Sequence, residues 1–196
     1  MTINIVKQGS GTVAGEVRRK MIEGATRLLA RHGLQATSFA EVLQHTGAPR
    51  GSVYHHFPEG KDQMVGEAVD LAGAFLVSLL DQRAGASALA ITEHFLAIWR
   101  RVLTQSRCES GCAVLAVAVA TDSPDLLQHA AQVFRLWRTR LAELLEQGGL
   151  AKKDALRFAT VLIASAEGAV VMSRAEQDME PFETVARQLV VQVRAL

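Results

Sequence analysis

Arg50, Gly51 and Tyr54 are the residues in this chain whose types and spacing fit the reading of base edges. At 3.6 residues per turn they fall together on one face of a short helix, while Val53 and Phe57, four apart, form a separate apolar stripe that can anchor it. An arginine near a helix N-terminus can place two parallel N–H donors on guanine O6 and N7. Gly51 has no side chain, so the backbone there can come close to a groove floor. Ser52, His55 and His56 suit phosphate oxygens, and Lys61 stands at the start of the following helix, where phosphate is also favoured. His55 and His56 are adjacent, so they cannot grip one metal as an i, i+4 pair can. Neither a metal nor a cofactor is expected.

Two helices joined by a tight turn must position these residues. The first opens at Ser38-Phe39-Ala40-Glu41, a capping box in which Ser38 and Glu41 satisfy each other's free backbone donors. It stops at Thr46-Gly47-Ala48-Pro49, and the second runs from Arg50 to Phe57 before Pro58-Glu59-Gly60 breaks it. In front lies a helix from about Val17 to Arg31, with Met21, Ile22, Ala25, Leu28 and Leu29 at helical spacing and Gly33 as its C-cap. Beyond Gly60 the pattern predicts six more helices, at about 61–80, 87–106, 112–120, 123–146, 152–175 and 181–195. Ser123-Pro124-Asp125 is the strongest start signal among them.

The whole therefore reads as all-α, about nine helices. Hydrophobic residues make up 49% of the 196, but aromatics only 5%, so the core rests on Ala, Leu and Val at close helical spacing. The net charge of +1 would by itself argue against nucleic acid, yet residues 1–64 carry eight Lys or Arg against five acids. A basic head on a mildly acidic body follows. Residues 1–15 lack an apolar core and are expected to be a disordered tail, not a signal peptide. The longest uninterrupted apolar run, Cys112 to Ala120, is too short for a bilayer, so a cytoplasmic chain without membrane contact is expected. Cys112 is expected to be an ordinary buried cysteine and Cys108 an exposed one, in preference to a thiol switch.

Ala159, Ser165, Ala166, Gly168 and Ala169 keep the eighth helix slim, and Phe182, Val185, Ala186, Leu189, Val190 and Val193 stripe the ninth. Such a surface must be covered, and the reading is a homodimer interface through Ala166, Gly168, Ala169, Val185, Leu189 and Val193. Competing readings are a helical protein-binding adaptor and a small helical enzyme, with the two-helix turn as scaffold. For an enzyme the sequence offers no nucleophile–base pair and no phosphate-cradling glycine loop.

The run from Gly47 to Asp62, GAPRGSVYHHFPEGKD, resembles the recognition segment of the TetR family of repressors, and Gly33 to Phe39 matches that family's link between its first two helices. The His55-to-Lys61 run and Gly111-Cys112-Ala113-Val114 are similar to the LmrA/YxaF-like branch. The resemblance implies a DNA-binding head at 1–64 and an effector-binding, dimerising body at 65–196. It implies bases opposite Arg50, Gly51 and Tyr54, and phosphates opposite Ser52, His55 and Lys61. Thr37, in the link, joins the DNA-binding set. It further implies a pocket for a flat, mostly apolar effector, with Phe95, Trp99, Leu115, Phe134 and Trp137 as candidate walls. The function implied is repression: a dimer on a palindromic double-stranded operator, its heads roughly 34–36 Å apart, released by the effector.

Overall fold

The computed structural model describes residues 13–196, and among them all regular structure is helical. The head comprises α1 (Val13–His32), α2 (Phe39–Thr46), a 3₁₀ turn (Arg50–Ser52) and α3 (Val53–His56). The body follows as α4 (Lys61–Asp81), α5 (Ala88–Ser106), α6 (Ala113–Ala120), α7 (Pro124–Gln147), α8 (Lys152–Glu176) and α9 (Glu180–Arg194). Most of the expected tail lies outside the described residues; its last three, Val13 to Gly15, are the first turn of α1.

Local chemistry sets the helix ends. Ser38, Ser87 and Ser123 each accept a backbone N–H from three residues on, as N-caps do. At Ser38 this is the forward half of the capping box, with Glu41 N–H at 3.2 Å; the return bond from the Glu41 carboxylate is not formed. Cys112 takes the same role at α6 with its sulfur, 3.3 Å from the Leu115 N–H. Gly47 closes α2 with φ of 66°, a left-handed conformation that costs glycine nothing.

α4 runs on from the head into the body and packs most closely on α7 and α1, while α8 packs on α7 and α9. Gly66 and Gly73, on one face of α4, lie so close to His129 and Val133 of α7 that a Cβ would meet them at 3.0 Å and 2.8 Å. The Trp137 N–H donates to Gly73 O at 3.0 Å across the same seam. α4 and α8 have the length and hydropathy of membrane helices, but each buries about half of its apolar stretch inside the protein, as central core helices do. Arg100 fastens α5 to α9 through two hydrogen bonds to Glu183 at 2.6 Å and 2.8 Å.

The end of α1 is clasped by the body. Gly111 N–H donates to Ala30 O at 2.8 Å. Arg174 of α8 reaches Ala30 O at 3.5 Å and also bonds Arg31 O, while the Arg31 side chain pairs with Glu109. The carbonyls left free at a helix C-terminus are thus occupied by donors from two other parts of the chain.

Candidate nucleic-acid interface

The second helix of the turn is two pieces of different pitch. Arg50–Ser52 is 3₁₀ and Val53–His56 is α, so the continuous helix expected from 50 to 57 is tighter at its start. Pro49, extended at φ −64°, cannot continue α2 and directs the chain into this turn. Val53 and Phe57 are buried at 2% and 0% exposure, beneath Phe39, whose ring stacks on Phe57 at 6.2 Å. Burial of two such side chains stabilises this placement by about 1.5–3 kcal/mol each. Arg18 of α1 also lies over the Phe57 ring, 5.4 Å from its centre, and is held there by Glu67 of α4 at 2.5 Å.

On this base the polar face stands free. Arg50, Gly51, Tyr54 and His55 are exposed, and Tyr54, at 78% exposure, only leans edge-on against Phe39 at 6.2 Å. Most of the ring and its hydroxyl are thus open to another molecule. Ser52 is half-buried and its hydroxyl donates to Pro49 O at 2.6 Å. Lys61 spends one of its three donors on Leu34 O at 3.2 Å and so braces the link after α1. His56 is held below its ordinary pKa, first by burial and then by the charges of His55 and Arg18.

Thr37 departs from the expectation. It is fully buried and its hydroxyl donates to Gly33 O at 2.8 Å, so its side chain shapes the link and is withdrawn from the exposed face.

Behind the head, a cavity of about 700 Å³ opens between α1, α4 and α5. Of the five expected pocket residues, Trp99 and Trp137 line it. Phe95 is instead buried in the core, and Leu115 is packed half-buried against the core. Phe134 stands edge-on to Trp137 at 5.5 Å, outside the cavity wall. The walls that the sequence did not point to are Leu71 and Phe75 of α4, Ile98 and Val102 of α5, and a mouth formed by Arg27, Arg31 and His32 of α1 with His45 of α2.

Near the cavity, Glu167 of α8 is buried with neither oxygen bonded to a nitrogen or oxygen donor. Burial raises its carboxyl to about 7, opposed in part by the neighbouring Cys112 thiol. Burial likewise pushes that thiol well above its ordinary value, helped by the Glu167 charge, so Cys112 is an unreactive neutral thiol. Cys108 is buried as well, contrary to expectation, with its sulfur 3.8 Å from that of Met179.

The expected dimer residues divide. Ala166, Ala169, Leu189 and Val193 face the chain's own core, at 0–5% exposure. Gly168 is exposed and Val185 half-buried, and both line a shallow groove between α8 and α9 whose lining also includes the buried Ala169 and Leu189. The apolar residues left open beside it are Val161, Val171 and Met172 of α8 and Val191 of α9, at 40–61% exposure.

Comparison with known proteins gives a consistent pattern. Residues 21–68 match the model of bacterial regulatory proteins, tetR family, and residues 88–188 that of the LmrA/YxaF-like transcriptional regulator C-terminal domain. The chain is similar to an uncharacterized HTH-type transcriptional regulator of Mycobacterium tuberculosis, 34% identical, covering 88% of this chain and 91% of the other. It is 30% identical to the uncharacterized regulator YxaF of Bacillus subtilis, covering 93% and 98%. A crystal structure of a regulatory protein TetR from Rhodobacter sphaeroides superposes with a TM-score of 0.79 at 21% identity, over 89% and 97% of the two chains.

Proposed function

Since the chain belongs to the TetR family of DNA-binding transcriptional regulators, with a C-terminal part of the LmrA/YxaF-like kind, we propose that it is a cytoplasmic repressor. It binds a palindromic operator as a homodimer and leaves it when a small, largely apolar effector enters the body. The observation that carries this reading is the exposed face of Arg50, Gly51 and Tyr54, mounted on the buried pair Val53 and Phe57. Arg50, Gly51 and Tyr54 meet base edges. Ser52, His55 and the two remaining donors of Lys61 meet phosphates.

The division into a head at 1–64 and a body at 65–196 is one of roles, because α4 passes through it without interruption. The second subunit covers the outer face of α8 and α9, around Val161, Gly168, Val171, Met172 and Val191. The effector occupies the cavity beside Trp99 and Trp137. Because α1 supplies part of the cavity wall, an occupant there bears directly on the head and favours a different separation of the two recognition segments. The enzyme reading is set aside, the matched relatives being transcriptional regulators.

The test is binding to labelled DNA from beside the gene, in a salt series with competitor DNA. Specific binding that weakens steeply with salt is expected, since each phosphate contact releases counterions. If selection from random DNA also returned no preferred sequence, the head would be scaffold and the adaptor reading would replace this one.

A further inference from the structure

The cavity between α1, α4 and α5 has two ends of unlike chemistry. Its apolar lining comprises the buried Leu76 and Trp99, the half-buried Leu71, Ile98 and Val102, and the exposed Phe75. Its mouth carries Arg27, Arg31, His32 and His45, with Glu23 the acid among the lining residues. That acid is shared, Arg19 holding one Glu23 oxygen at 2.6 Å and Arg27 facing the other more loosely at 3.9 Å. Arg31 pairs with Glu109. Three guanidiniums therefore share two carboxylates, with two imidazoles beside them. The cations are not needed to offset the negative end of the α1 dipole either. Arg174 and the Gly111 N–H already cover the last carbonyls of that helix.

From this placement we propose that the effector is an amphipathic organic anion, its apolar body along the Leu71–Phe75–Trp99 wall and one carboxylate-type end at Arg27 and Arg31. The inference rests on the effector-binding reading above and makes it specific. A volume of about 700 Å³ suits one ligand of that form. A neutral apolar ligand would leave the mouth cations to water, and a cationic one would be repelled there. The anionic end would also tie the ligand to α1, so that binding energy is spent on the helix that carries the head.

The chain has two tryptophans and both line this cavity, so tryptophan emission reports occupancy directly. The experiment titrates the full chain with decanoate, decanol and decylammonium by tryptophan emission and by calorimetry. It repeats the series on a variant carrying Arg27→Gln and Arg31→Gln. Decanoate is expected to bind about tenfold more tightly than decanol, with decylammonium weakest. The double variant is expected to lose that preference while keeping the affinity for decanol, which also shows that its cavity is intact. Equal binding of decanoate and decanol would overturn the anion and leave the effector cavity standing. A preference for decylammonium would overturn the anion as well. Absence of any response to all three would remove the cavity as a ligand site, and both readings with it.

Discussion

The recognition segment and the outer helices of the body distribute their apolar residues in opposite ways. From Arg50 to His56 one residue, Val53, is buried, and the exposed positions hold an arginine, a glycine, a tyrosine and a histidine. In α8 the buried face holds Phe158, Leu162, Ile163 and Val170, and the exposed face is apolar too, with Val161, Val171 and Met172. The first region separates stability from function within two turns of chain. In the second, core and contact surface are built from the same residue types, so only the fold decides which is which.

The largest effect expected from this contrast is at Leu189. Leu189→Glu places a charge in the core, at a position 3% exposed, and should destabilise the chain by about 4 kcal/mol or more in urea titration. A small change there would mean that Leu189 belongs to the contact surface after all. Next comes Glu167→Gln. With the carboxyl raised to about 7 from an ordinary 4.5, the folded chain carries no penalty below pH 4.5 and the full penalty above pH 7. The parent chain should therefore lose about 3 kcal/mol of stability as pH rises from 4.5 to 8, and the glutamine variant should not. Parallel melting curves for the two across that range would show that the buried carboxyl has a partner.

Tyr54→Ala and Arg50→Ala should each weaken operator binding by about 1–3 kcal/mol with little change in melting temperature. Intact operator affinity in both would break the contrast at its functional end. The smallest effect on stability is expected from Val191→Glu, on the open face of α9, within about 0.5 kcal/mol. Sedimentation should nevertheless show that variant as a monomer. An unchanged dimer would place the subunit contact on another face.

The head was legible because its determinants are local. The serine caps, the turn at Gly47 and the phase of Val53 and Phe57 against Arg50 and Tyr54 all lie within a few residues of what they control. The faces of α8 and α9 were not, because an amphipathic pattern assigns a direction only when one side is polar. α8 is apolar on both sides, so Ala166 and Ala169 pointed inward while Gly168 pointed out, with nothing in the spacing to say so. The mouth of the cavity was hidden for a different reason. Arg27 and Arg31 look like any solvated helix face until the fold brings Phe75 and Ile98 opposite them.

Arg174 stands two residues beyond Met172, so the clasp on the end of α1 and the open apolar face share the last turns of one helix. In a dimer built on that face, the helix that forms the subunit seam would also grip each head. The letters of the operator and the gap between its halves would then be heritable separately. Substitutions at positions 50, 51 and 54 would alter the sequence preferred, and substitutions along the outer face of α8 would alter the spacing. A lineage of such proteins could diverge in either trait while holding the other fixed.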